Sequence, residues 1–292
     1  MQGKICLITG GTSGVGKETA LGLARIGAIV VISGLNKQRG EAAAAEIRTS
    51  SQNEQITFLP ADLSSQDAIR ALAQTFTTRF AHLHVLINNA GTMLMQRTTT
   101  QDGLETTFAV NHLAPFLLTN LLLPLLKAST PARIINVTSA IHVRARMNFA
   151  DLQGRQHYSG QQAYGQSKLA NILFTYELAR QLAGTGVTAN CLHPGIIADS
   201  NFGRNYPAPL KVLGKVLTLL PKGFITTSEE AAQAVIHLAT SDELANTSGK
   251  YFLKSREAHS SSATYDEDTW KQLWKQSVQL THLESAAGNR TL

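Results

Sequence analysis

The chain has only two cysteines in 292 residues and no block of five or more basic side chains. Cys6 and Cys191 each lie inside an apolar run that reads as a strand. They cannot form a disulfide framework and are expected to be buried thiols in a reducing compartment. Without a basic block, the net charge of +6 is a diffuse field, which suits small anions or an acidic surface and argues against nucleic acid. A long hydrophobic run is missing too. The longest, positions 113–126, is interrupted by Pro115, Asn120 and Pro124, so no integral membrane segment is expected. The first strand pattern begins at Ile5, which leaves no room for a signal or transit peptide, and a cytoplasmic location is the expectation. Nothing in the composition marks a linker, a repeat or a second domain.

What is present alternates. Apolar β-rich runs occupy Ile5–Thr9, Ile29–Ser33, Ile56–Leu59, His84–Ile87, Arg133–Thr138, Val187–Leu192 and Lys250–Leu253. Helical periodicity fills 16–26, 38–48, 65–79, 102–127, 164–183 and 228–240. Near-continuous apolar strands are those covered by helices on both faces. The order predicts an α/β fold: a single doubly wound Rossmann-type domain over 1–285 with a seven-stranded parallel sheet and a flexible tail at 286–292.

The junction after the first strand is Thr9-Gly10-Gly11-Thr12-Ser13-Gly14-Val15-Gly16. Glycines there let the backbone turn tightly and approach a pyrophosphate, and the following helix offers its unpaired N–H groups. After the second strand no acid precedes Glu41, while Lys37 and Arg39 stand close by. A basic residue in that place meets a 2′-phosphate where an acid would bind ribose hydroxyls, so the lean is to NADP, with NAD as the alternative. Asp62 and Leu63 follow the third strand, and Asn88-Asn89-Ala90-Gly91 the fourth. Both sit at carboxyl ends, where open α/β sheets bind ligands, although Asp62 would serve equally as a helix cap. Asn111 interrupts an apolar helix and must find partners or distort it. Ser139 ends the fifth strand. Tyr164 and Lys168, four apart at the head of a helix, share one face. A nearby cation in a water-poor site would lower the phenol's pKa from its usual value near 10. Alone, such a pair is common by chance.

Taken in order, the Gly-x-x-x-Gly-x-Gly junction, Asn-Asn-Ala-Gly, Asn111, Ser139 and Tyr164/Lys168 resemble the short-chain dehydrogenase/reductases. The resemblance runs from about Lys4 to Leu283 and is closest to the retinol-dehydrogenase-like branch. Its branch-level markers are Asn111-His112-Leu113-Ala114-Pro115-Phe116, Ser167-Lys168-Leu169-Ala170-Asn171, His193-Pro194-Gly195 and Ser248-Gly249-Lys250-Tyr251-Phe252. The resemblance implies an oxidoreductase moving a hydride between NAD(P)H and an alcohol/carbonyl pair, without a metal. Tyr164 would be the general acid or base, with Lys168 lowering its pKa and holding the nicotinamide ribose. Ser139 would bind the carbonyl oxygen, and Asn111 would hold a water leading to solvent. It also implies cofactor contacts from the Gly-rich loop and from Pro194, Gly195 and Ile197, and a homodimer through the helices at 102–127 and 164–183, which carry more apolar surface than the sheet needs. Two positions depart from the branch: Leu35 stands where an Arg usually contacts the 2′-phosphate, and Asp199 where a Thr usually meets the nicotinamide carboxamide.

Residues 199–227 read as a substrate lid containing an amphipathic helix, with Leu210, Leu213, Leu217 and Leu220 on one face and Lys211, Lys215 and Lys222 largely on others. This predicts an apolar aldehyde, ketone or alcohol as substrate, and, more weakly, peripheral contact with an acidic membrane surface. The competing classes are an NAD(P)-binding regulator that has lost its chemistry, and a sugar-nucleotide epimerase, which would need a larger C-terminal region.

Overall fold

The computed structural model describes residues 1–197 and 225–283. In it the seven apolar runs become β1 (Ile5–Thr9), β2 (Ile29–Gly34), β3 (Ile56–Pro60), β4 (Val85–Asn88), β5 (Ala132–Val137), β6 (Val187–His193) and β9 (Tyr251–Leu253). All seven are parallel. An eighth strand, β10 (Arg256–Ala258), turns back antiparallel on β9 and closes that edge, so the sheet has eight strands rather than the seven expected. The order is β10-β9-β6-β5-β4-β1-β2-β3. A separate two-stranded ladder joins β7 (Ile196–Ile197) to β8 (Ile225–Thr226).

The helices are α1 (Gly14–Arg25), α2 (Lys37–Ser51), α3 (Gln66–Arg79), α4 (Thr106–Ala128), α5 (Gly160–Gln181), α6 (Ser228–Thr240) and α7 (Glu267–Leu280). Alternate residues of β1 show why its run had to be apolar throughout. Cys6 and Ile8 enter the core under α1, α2 and α6, whereas Ile5 and Leu7 enter the one under α3, α4 and α5. Both thiols are fully buried, and burial pushes each up to about 12, so neither ionises near neutrality.

Strand order reverses between β1 and β4, and an open sheet binds ligands in the crevice at that switch. The pairing of Ile8 with Ile87, Asn88 with Asn136 and Val137 with Leu192 brings the carboxyl ends of four strands to one rim. Three sequence expectations change in detail. Tyr164 lies one turn inside α5, which starts at Gly160, rather than at its head. Helix α4 has the length and apolarity to cross a membrane, but most of it is buried inside the molecule; it is a core helix. Helix α7 had no counterpart in the sequence reading. It lies on the surplus apolar surface of α4 and α5 that had suggested a homodimer: Leu273 is buried, and Trp274 packs edge-on against Phe116 at 4.9 Å and beside Phe174. The lid helix, Asp199 and the tail lie outside the described residues.

Candidate active site

The Gly-rich junction folds as its composition requires. Gly10 has φ +66, and a Cβ there would stand 2.9 Å from the Ala90 Cα. Gly16 faces the Gly10 carbonyl so closely that any side chain would collide with backbone. The Asn89 amide locks the turn by donating to the carbonyls of Thr9 and Gly10 at 2.9 and 3.2 Å. Ser13, the N-cap of α1, makes no side-chain capping bond, and the first turn of α1 holds no acid. Its N–H groups and positive dipole end are therefore directed at whatever lies in front of the loop.

In front of it is a cleft of about 760 Å³. The loop lines it with Gly10, Thr12, Ser13, Gly14, Val15 and Gly16, and the ends of β3 and β4 add Asp62, Leu63, Asn89, Ala90 and Gly91. The far end is lined by Ser139, Tyr164, Lys168, Pro194, Gly195 and Ile197. Sequence positions as far apart as Gly10 and Ile197 thus meet in one space. Asp62 does not cap α3: its Oδ1 accepts from the Ser64 N–H and hydroxyl, and Ser65 is the N-cap.

Lys168 is buried, and its Nζ lies 5.7 Å from the centre of the Tyr164 ring. It donates to the Val137 carbonyl at 3.0 Å and has no carboxylate partner among the described residues. Burial lowers it to about 8, so the ammonium still predominates at neutral pH. A Cβ placed on Gly91 would lie 3.5 Å from Lys168 Nζ and 3.4 Å from Asn111 Oδ1, so both side chains converge on that glycine. Asn111 occupies a π-helical segment of α4, Ala109–Leu113. Its amide accepts from Thr92 N–H at 2.7 Å and donates to Thr92 O and Ser167 Oγ, each at 2.9 Å. Distortion and partners, set against each other in the sequence, both occur. Thr138 and Ser139 both line the cleft, but the Thr138 hydroxyl is committed to the Lys168 carbonyl at 2.7 Å.

Two expected contacts fare differently. Arg39 lines a smaller cavity of about 280 Å³ that shares Thr12, Ser13 and Gly14 with the cleft. Lys37, exposed at the first turn of α2, lines neither space. Lys17 takes the second cationic place but is bound to Glu46 at 2.6 Å. Leu35 is 70% exposed on the cleft wall. His193 also lines the cleft; the sequence offered it only as part of a branch marker, with no role in the site. Burial, then the nearby His142, Lys254 and Lys168, lower it to about 4, so it is neutral.

The pattern belongs to a known family. A family model described as short chain dehydrogenase matches residues 4–209. The chain is a short-chain dehydrogenase/reductase. It is 43% identical to retinol dehydrogenase 12 of Mus musculus, covering 97% of this chain and 88% of that one. With retinol dehydrogenase 13 of Homo sapiens it shares 42%, covering 98% and 86%. Among solved structures, an uncharacterised protein of Mycobacterium paratuberculosis superposes with TM-score 0.77 at 32% identity, covering 96% of this chain and 94% of that one. A Pseudomonas aeruginosa RhlG/NADP active-site complex gives 0.70 at 30%, covering 87% and 95%. This short-chain dehydrogenase/reductase is of the retinol-dehydrogenase-like branch, an NAD(P)-dependent oxidoreductase of alcohol/carbonyl pairs. The close-packed glycines, the helix start and the buried ammonium facing the cleft fit a nicotinamide dinucleotide.

Proposed function

We propose that the substrate is a bulky apolar alcohol or its carbonyl partner, and that Tyr164, Lys168 and Ser139 carry the reaction. The observation behind this is the wall at the reaction end of the cleft. Leu94, Val110 and Ile196 line it beside Ser139 and Tyr164, and Ile196 is 60% exposed. An apolar substrate buries that surface; a small polar one leaves it wet. Relatives bearing the name retinol dehydrogenase support the same class.

Bound along the Gly-rich loop, the nicotinamide cofactor supplies or accepts the hydride. Tyr164 gives its phenolic proton to the carbonyl oxygen in reduction and takes it back in oxidation. Ser139 donates a hydrogen bond to the same oxygen and steadies its developing charge. The Lys168 ammonium favours the phenolate through its charge and holds the ribose hydroxyls. Asn111 holds the Thr92 segment and Ser167 together behind Lys168.

NADP is the proposed cofactor, through Arg39 and Ser13 at the smaller cavity. A charge-assisted phosphate contact is worth roughly 1.5–3 kcal/mol. Arg39→Ala should therefore raise the Kd of NADP about tenfold or more and leave that of NAD unchanged; equal effects on both would remove Arg39 from the site. Pairing of α4 and α5 between two copies would require displacing α7, so we read the chain as unpaired across that face. Light scattering at micromolar concentration checks this, and a dimer broken by substitutions on α4 or α5 would refute it.

The substrate class is tested by kcat/KM across aldehydes of rising chain length. Each buried CH₂ contributes at most about 0.8 kcal/mol, so efficiency should climb severalfold over a few carbons. A flat profile, or a preference for small polar carbonyls, would contradict an apolar site.

A further inference from the structure

Two histidines flank the reaction residues, and the chemistry above uses neither. His112 follows Asn111, and His142 lies three residues beyond Ser139. Both are buried, to 0% and 1% exposure, and each is bonded to the C-terminal segment 256–283.

The neighbours fix the proton on the His142 ring. His142 Nε2 lies 3.2 Å from the Ser261 N–H, which can only donate, so that nitrogen is an acceptor. The proton is then on Nδ1, which donates to the Ser139 carbonyl at 2.8 Å. At His112, Nε2 lies 2.8 Å from the Ser277 hydroxyl, which itself lies 2.8 Å from the Leu273 carbonyl, so the ring is joined to this segment through Ser277. Both rings are neutral, held below the ordinary histidine value chiefly by burial.

The segment they hold is itself well anchored. Ser260 Oγ meets the Tyr176 hydroxyl of α5 at 2.7 Å, and Trp270 Nε1 donates to the Thr264 carbonyl at 2.6 Å. At the far end Gln66 and Arg70 of α3 donate to the carbonyls of Leu280 and Thr281 at 2.7 and 2.8 Å. The segment is therefore a strap bonded to α3, α4 and α5 and to the turn after β5.

We propose that His142 and His112 are positioning residues through which this strap sets the placement of Ser139 and of the Asn111 segment. The proposal rests on the roles given above to Ser139 and Asn111. Ser139 leads the single 3₁₀ turn Ala140–Arg144, and among the described residues its own hydroxyl receives only a long 3.4 Å bond from the Ile141 N–H. Its carbonyl accepts the His142 backbone N–H at 3.2 Å and, more closely, the imidazole at 2.8 Å, which is the stronger constraint. Displacing a reacting contact by about 1 Å can lower a rate by roughly a hundredfold.

The test compares His142→Phe, which keeps a ring against Tyr251 (5.1 Å between centres in the native protein) but loses both hydrogen bonds, with His142→Asn, which keeps a donor near the Nδ1 position. Tyr164→Phe is measured alongside. His142→Phe is expected to lower kcat about ten- to a hundredfold with the Kd of NADP within about twofold of wild type, and His142→Asn to recover most of the loss. Hydrogen exchange over 138–145 is expected to quicken in His142→Phe and not in His142→Asn, a readout that needs no turnover. Unchanged exchange and kcat in His142→Phe, beside an inactive Tyr164→Phe, would overturn the positioning role alone. Full activity in Tyr164→Phe would overturn the catalytic reading instead. Equal losses of kcat, cofactor affinity and melting temperature in both His142 variants would reduce His142 to a packing residue and also overturn the proposal.

Discussion

At the scale of the residue, Lys168 carries the sharpest consequence. An ammonium buried without a carboxylate destabilises the cofactor-free protein while it remains charged. Burial holds its folded pKa at about 8, below the ordinary lysine value of 10.5, and between these the unfolded chain binds more protons. Stability contributed at this site should therefore rise with pH from about 8 towards 10.5, by roughly 3 to 3.5 kcal/mol in all. Urea midpoints of wild type and Lys168→Met, both free of cofactor, would show it. The wild type should gain on the variant between pH 7.5 and 10, and parallel curves would mean that the ammonium is solvated. Tyr164 and Lys168 could be paired from their spacing alone. The choice of Ser139 over Thr138 needed either the family pattern or the Thr138 bond to the Lys168 carbonyl, which no spacing reveals.

At the scale of the element, a buried polar ladder joins the sheet to its helices. Asn88 Nδ2 donates to Asn136 Oδ1 at 2.8 Å and to Thr119 Oγ1 at 3.0 Å, and Asn136 Nδ2 donates to Thr175 Oγ1 at 2.9 Å. The ladder ties β4 and β5 to α4 and α5 just below the cleft. Asn136→Leu would leave a donor on Asn88 and an acceptor on Thr175 without partners, at roughly 1–3 kcal/mol each. Chemical denaturation should show a loss of at least about 2 kcal/mol; a smaller loss would mean that the neighbours find new partners. The parallel strands were legible because burial on both faces leaves a continuous apolar run. Strand β10 was not, because Arg256 and Glu257 are exposed on an edge that demands no apolar side chain. Helix α7 did carry a signal, Trp270, Leu273, Trp274, Ser277 and Val278 at helical spacing, but apart from Leu280 its other positions are polar and the stripe is narrow.

At the scale of the whole molecule, the sheet gathers groups from β1, β3, β4, β5, α5 and β6 at one rim, and the C-terminal strap covers the helices behind it. The Gly-rich loop, Asn89 and the Tyr164/Lys168 pair could be placed in one cleft from their order along the chain. His142 and the strap could not, since their roles come from contacts across more than a hundred residues, such as Ser261 with His142. These parts serve one claim: the proton exchanged with the substrate oxygen belongs to Tyr164. The most direct measurement is single-turnover reduction of an apolar aldehyde, followed by nicotinamide absorbance, in wild type and Tyr164→Phe with cofactor affinity determined for both. Loss of the positioned acid should lower the rate by about 10²–10⁴-fold with the cofactor Kd nearly unchanged. A variant that keeps more than about a tenth of the wild-type rate would contradict the assignment.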